Sequence, residues 1–231
     1  AGRKQKKYLS LEEARANKFR CDWDKAAIHK PTFLGVKSFP GFSLEEVRQY
    51  IDWTFFFMAW EMKGTFPKIL TDEKQGAEAR KLFMEANTLL DEIIERKLFR
   101  ANGVVGFWPA NSNGDDIEIY EDESRSKVTG IFHNLRQQVE PREGKPNMCL
   151  ADFIAPKESG IADYIGGFAV TSGVGMEKWV AEAKEEGNDY RAILMQTLSD
   201  RLAEAFAEVL HVKVRTQLWG YAPNENLSKE E

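Results

Sequence analysis

The stretch from Gly103 to Tyr120, GVVGFWPANSNGDDIEIY, constrains the fold more than any other part of the chain. Val104, Val105, Phe107 and Trp108 favour extended backbone, and Ile117, Ile119 and Tyr120 are interleaved with Asp116 and Glu118. The Asn-Ser-Asn-Gly between the two runs suits a tight turn that needs positive φ, so the stretch is predicted as a β-hairpin. Pro109 has no N–H for a ladder, and the first strand is expected to end there or to run along an edge. The second strand sets its acids against its apolar residues, which predicts one solvated face. A long helical segment precedes the hairpin and more strands follow it. The expected fold class is therefore α+β, a mixed or antiparallel sheet with flanking helices.

Along the chain, Ser10-Leu11-Glu12-Glu13 and Ser43-Leu44-Glu45-Glu46 are capping-box signatures that open short helices. Thr32 to Val36 is predicted as a strand and Pro40-Gly41 as a turn. Asp52 precedes the apolar run WTFFFMAW and is predicted to cap a helix that ends at Gly64, its five aromatics mostly buried. Asp72 to Leu98 has helical spacing, with Ala79, Leu82, Phe83, Ala86, Leu89, Leu90, Ile93 and Ile94 on one face. Val128 to Phe132, Cys149 to Ile154 and Tyr164 to Thr171 read as strands. Gly166, Gly167 and Gly173 suggest a bulge or a close approach in or beside the last of these. Met176 to Glu186 is amphipathic, and Asn188 or Asp189 caps a long helix to about Val212 whose core face includes Tyr190, Ile193, Leu198 and Phe206.

At 231 residues the chain is long enough to bury roughly 70–75% of its unfolded surface without staples. Its net charge of −5 argues against sequence-independent nucleic-acid binding, which needs a basic surface. Cys21 and Cys149 form no framework and no zinc pattern, so a reducing, cytoplasmic setting is the simplest expectation. No run is long enough for a membrane helix. The basic Gly2 to Lys7 reads as a linker, and Ser228-Lys229-Glu230-Glu231 matches a capping box with no helix after it. Both ends suggest a fragment.

Carboxylates are the candidate ligand groups. Asp200, Glu204 and Glu208 recur every four residues and share one helix face, which serves equally as a solvated acidic stripe or as a face for a cationic or hydrogen-bonding ligand. Asp52 is a cap by pattern, but one oxygen can cap while the other meets a ligand. Asp115, Asp116 and Glu118 read as turn chemistry and an exposed strand face. His29, His133 and His211 are too scattered for a metal site, and the chain has no GxGxxG, Walker A or G-x-S-x-G motif.

The segments IDWTFFFMAW, GVVGFWPANSNGDDIEIY, HNLRQQ, LADFIAPKESGIADYIGGFAVTSG, DRLAEAFAEVLH and WGYAPNENLS, taken together and in this order, resemble the activation domain of cobalamin-dependent methionine synthase. The likeness extends from about Leu9 to the end, which implies a linker over residues 1–8 and one C-shaped activation domain over 9–231. It implies the reactivation module of a methyltransferase, binding S-adenosylmethionine for reductive methylation of cob(II)alamin. Cobalamin and zinc would belong to other modules of the full-length enzyme. The partners would be the cobalamin-binding domain of the same polypeptide and a flavodoxin or flavoprotein reductase. Asp52 and Glu204 match family positions that contact S-adenosylmethionine, and Asp200 matches one that faces the cobalamin domain. An alternative is a docking module without chemistry of its own. The family's Arg-Pro-Ala-Pro-Gly-Tyr-Pro loop is absent from these 231 residues, so the isolated fragment is expected to bind the ligand weakly or not at all and to be inactive. Phe55 stands where relatives are expected to carry proline.

Overall fold

The computed structural model describes residues 7–225, so the Ser228 capping box and most of the Gly2 to Lys7 stretch lie outside the described residues. Lys7 and Tyr8 pair with Glu140 and Val139.

A five-stranded sheet is ordered β1 (Gly35–Phe42), β2 (Arg100–Asn113), β3 (Asp116–Tyr120) and β4 (Val128–Phe132), with β5 (Asp163–Val174) also on β2. The predicted hairpin forms, but its turn is displaced: Asn111, Ser112 and Asn113, expected in the turn, are paired residues of β2. β2 and β3 are antiparallel with Asn113 opposite Asp116, which leaves Gly114 and Asp115 as the turn. Gly114 has φ of 63°, the left-handed conformation that glycine adopts without a Cβ clash. β4 is antiparallel to β3 and occupies the residues expected for a third strand.

The helices are α1 (Leu11–Ala16), α2 (Leu44–Arg48), α3 (Trp53–Ala59), α4 (Gly76–Glu95), α5 (Met176–Glu185) and α6 (Asp189–Lys213). Ser10 closes a reciprocal capping box with Glu13, and Ser43, Asp52 and Asn188 cap α2, α3 and α6 through their side chains. The α+β expectation holds.

Several expectations need correction. β2 does not end at Pro109 but runs on to Asn113; its pairing with β3 begins only at Ala110, so the missing N–H falls outside that register. The expected turn at Pro40-Gly41 lies inside β1, the end strand of the order, and the Gly41 N–H is met by the Asn102 side chain at 2.9 Å. Cys149 to Ile154 is not a strand. It holds a 3-10 turn over Leu150–Phe153, closed where the Asp152 carboxylate accepts the Cys149 N–H at 2.9 Å. Helix α3 stops at Ala59 rather than Gly64. Asp72 does not begin a helix: it accepts from the N–H groups of Lys74 and Gln75, and α4 starts at Gly76. Both faces of β3 are covered, since Glu118 is buried.

The described chain divides into two compact units. Unit one takes in residues up to Val36, Gly106–Gly167 and Gln217–Tyr221; unit two takes in Lys37–Val105, Phe168–Thr216 and residues from Ala222. Unit one has a core of Ala110, Ile117, Cys149 and Ala151, with Ile154 and Ile165 against it. Unit two is built on α6, which packs against α2, α3, α4 and α5. Its buried stripe runs through Met195, Leu198, Leu202, Phe206 and Val209. Tyr190 and Ile193, expected in that face, are about half exposed, because at this end of α6 the buried stripe passes through Ala192 and Leu194 instead. On α4, six of the eight expected core residues are buried, and Phe83 and Ile94 are half-buried at its margin.

The glycines of β5 do permit a close approach. A Cβ at Gly166 would lie 2.8 Å from the Phe107 ring and 3.1 Å from that of Trp219, whereas Gly167 faces open space. Phe107 is buried and has no room to yield. Gly166→Ala is therefore expected to cost about 1–3 kcal/mol by overpacking, and Gly167→Ala much less. Urea unfolding of the two variants checks this.

Candidate ligand site

Helix α3 positions Asp52. Trp53, Phe56 and Phe57 anchor it in an aromatic cluster: the Trp53 ring lies 4.7 Å from Phe83 and 5.2 Å from Phe56, and Phe57 stacks on Phe66 at 6.5 Å. Thr54 Oγ1 accepts the Phe66 N–H at 3.1 Å and ties down the chain beyond the helix. With the helix fixed, Asp52 Oδ1 accepts from the N–H groups of Thr54 at 2.8 Å and Phe55 at 3.3 Å. The predicted cap is present. The side chain is exposed, and among the described residues Oδ2 has no partner.

Asp200, Glu204 and Glu208 form the exposed row on α6 that their spacing predicts, opposite buried Leu198, Leu202 and Phe206. None of the three makes a hydrogen bond or ion pair to a described residue. Because α3 packs on α6, Asp52, the cap of α3, and Glu204 belong to neighbouring helices of one unit. The same two segments hold the buried side-chain nitrogens that lack a partner among the described residues: Trp60 Nε1, at the end of α3, and Arg201 Nε, on α6 beside Asp200. Unsatisfied buried donors are uncommon in folded proteins. The arrangement offers free carboxylate oxygens, suited to the ammonium and hydroxyl groups of a polar ligand.

Asp115 lies in the turn as expected, but the reading of Glu118 as part of an exposed strand face is wrong, and the acids here are held by partners that carry no local signal. Arg136 in unit one is wholly buried and grips Asp152 with two nitrogens, at 2.7 and 2.8 Å. Its Nε and Nη2 also donate to Asp115, at 2.9 and 2.7 Å, and Nη1 donates to the Asn147 carbonyl at 2.8 Å. Arg15 closes on the other Asp115 oxygen at 2.8 Å. Partial burial pushes the Asp115 carboxyl up, but the hydrogen bonds from Arg15 and Arg136 outweigh it and hold it below the usual range. The hydrogen bonds to Asp152, and after them those to Asp115, hold the Arg136 guanidinium above its ordinary value. Glu118 accepts from Lys157 at 2.7 Å and Asn113 at 2.8 Å, which lowers its carboxyl too. These acids are structural.

Two pockets of about 320 and 330 Å³ lie in unit one along residues 18–29, sharing Cys21 and Trp23 as walls. Asp52, Asp200 and Glu204 line neither. Among the described residues no three His, Cys, Asp or Glu side chains group to hold a metal ion, and no helix is long and apolar enough to cross a membrane.

Residues 43–231 match the family described as "Vitamin B12 dependent methionine synthase, activation domain". The chain belongs to that family. A crystal structure of the MetH reactivation domain bound to AdoHcy is similar over 97% of this chain and 68% of that one, at 51% identity and a TM-score of 0.93. The resemblance drawn from the segments IDWTFFFMAW to WGYAPNENLS is borne out at the level of the family and its fold.

Arg136→Met would leave Asp115 and Asp152 buried without their main partner. It is expected to cost about 3–5 kcal/mol in urea unfolding. In the parent, Asp115 and Glu118 have folded-state pKa values below their unfolded ones. The stability they contribute is fully present above the unfolded value of about 4 and is lost as pH falls through the folded one. Melting temperature is therefore expected to be level with respect to these groups from pH 7 to about 5 and to drop below about pH 4. A scan from pH 7 to 3 checks it.

Proposed function

We propose that this chain binds S-adenosylmethionine through Asp52 and Glu204 and serves the reductive methylation of cob(II)alamin in a cobalamin-dependent methionine synthase. The single observation that carries this reading is the 51% identity, over nearly the whole chain, to a reactivation domain that holds AdoHcy. The local geometry supports it: Asp52 is fixed by its cap yet keeps one oxygen free, and Glu204 is exposed on the adjoining helix. A fixed acid beside the ligand's ammonium or ribose hydroxyls gives charge-assisted hydrogen bonds, stronger than neutral ones.

In this reading residues 9–231 belong to the activation domain, with residues 1–8 leading into it. The chain supplies binding and orientation, while the cobalt chemistry resides in the cobalamin-binding domain of the same polypeptide. Asp200, exposed and unpaired one turn before Glu204, faces that domain. A flavodoxin or flavoprotein reductase supplies the electron, and the setting is the cytoplasm.

Calorimetric titration of S-adenosylmethionine into the full-length protein tests the residue roles. Asp52→Asn keeps a cap and is expected to weaken binding with little loss of stability. Asp52→Ala is expected to weaken binding and also cost about 1 kcal/mol through the lost cap. Equal affinity of Asp52→Asn and parent would remove Asp52 from the site. Glu204→Gln is expected to weaken binding with the melting temperature nearly unchanged, because the side chain is exposed; a large drop in melting temperature would place it in a structural network instead.

A further inference from the structure

Of the two pockets along residues 18–29, the one of about 330 Å³ has an aromatic wall. Trp23, Phe153, Trp219 and Tyr221 line it, and all four lie in unit one. Three of these rings are held in place by contacts of their own. Trp219 Nε1 donates to the His29 carbonyl at 2.7 Å, and its ring meets that of buried Phe107 at 5.2 Å. The Tyr221 ring lies 6.1 Å from that of Trp219 at 78°, so the two form a corner. Phe153 stacks on Phe19 at 5.2 Å. Phe153 is still 52% exposed and Tyr221 44%, so ring surface stays open to a ligand.

The charge lining this pocket is one-sided. Asp163 lines it, and among the described residues no Lys or Arg does; Lys18 and Arg20 belong to the neighbouring pocket. Arg125 donates to the Asp163 carbonyl at 2.8 Å, but its guanidinium lies over the Tyr120 and Tyr164 rings, at 5.6 and 5.5 Å, and is not a wall. Asp163 is buried, and its two carboxylate oxygens accept the N–H groups of Ala155 at 2.8 Å and Tyr164 at 2.7 Å. The His29 carbonyl is likewise engaged, by Trp219. Aromatic faces beside a negative charge attract a cation. With these acceptors already engaged, a primary ammonium would give up its water for too few partners. A quaternary ammonium carries no N–H and loses no hydrogen bond on entry. The pocket volume lies at the small end of the range for small-molecule sites, about 300–1,000 Å³.

We propose that this pocket is a second ligand site, which takes the quaternary ammonium head of a small molecule through its aromatic walls and the charge of Asp163. Asp52 and Glu204 line neither pocket, and the proposal does not depend on their reading as ligand contacts. Rings already held in place need little ordering when the head group enters, so less of the cation–π attraction is offset by side-chain entropy.

The test is calorimetric titration of choline, and of dimethylbutanol, its neutral analogue with carbon in place of nitrogen, into the full-length protein and three variants. The two probes share a shape and differ in charge. The parent is expected to bind choline at least about 5-fold more tightly than the alcohol, through cation–π contact with several rings. Tyr221→Leu is expected to weaken choline by about 2- to 5-fold, the range for an exposed cation–π contact, and to change the alcohol less. Trp23→Leu is expected to act in the same direction, and Asp52→Asn to leave choline binding unchanged. No binding of choline by the parent, equal affinity for the two probes, or choline affinity unmoved in both pocket variants would overturn the proposal. Loss of choline binding in Asp52→Asn would place the cation at the α3 and α6 segments, which overturns the proposal and leaves the reading of Asp52 standing.

Discussion

The pairing of β2 with three other strands is the constraint on which the rest of the structure depends. β1, β3 and β5 all take backbone hydrogen bonds from this one 14-residue strand. Its residues fall in both compact units, changing from one to the other between Val105 and Gly106. Backbone donors and acceptors buried in a sheet must be paired, so the registry of β2 fixes what each face can cover. Within unit one, Ala110 enters the core with Ile117 opposite the hairpin turn. Within unit two, Gly103 passes so close to α6 that a Cβ there would sit 2.9 Å from the Phe206 ring.

Charged groups in the two units do different work. Around Arg136 every strong donor has an acceptor, and the carboxylates that surround it are satisfied and partly or wholly buried. Such a network holds three chain segments in one geometry: the hairpin turn, the HNLRQQ segment and the 3-10 turn at Leu150–Phe153. At the start of α3 and along the exposed acidic row of α6 the reverse holds, although Arg191 and Lys213 of α6 are paired. Asp52, Asp200 and Glu204 are exposed and keep oxygens without partners, and two buried nitrogens nearby in sequence are unsatisfied. A fully paired acid is spent on the fold, whereas an acid held rigid by a cap with one free oxygen is available to a ligand. This contrast, together with the likeness to an AdoHcy-bound reactivation domain, is why the functional reading rests on Asp52 and Glu204 rather than on the more numerous acids of unit one.

What the sequence made legible follows the range of the forces involved. The caps at Ser10, Ser43, Asp52 and Asn188 were readable because a cap is settled within four residues. The hairpin and β4 were readable from alternation and turn chemistry. The extent of β1 was not, because Gly41 is satisfied by Asn102, far along the chain. Nor was the 3-10 turn at Leu150, which an apolar run disguises and which Asp152 and Arg136 stabilise from outside the local pattern. Glu118 looked exposed for the same reason, since Lys157 lies 39 positions away. For the candidate site, the Asp52 cap and the acidic row on α6 were visible as patterns. Their ligand came only from the family resemblance, because nothing in their spacing separates a solvated stripe from a binding face.

The most direct test of the account is a crystal structure of the full-length protein with S-adenosylhomocysteine bound. The account predicts the ligand on the α3 and α6 segments, with Asp52 Oδ2 and Glu204 within hydrogen-bonding distance of its ammonium or ribose groups and Asp52 Oδ1 still capping α3. A ligand seated instead in the pockets along residues 18–29, with Asp52 and Glu204 left to solvent, would contradict it.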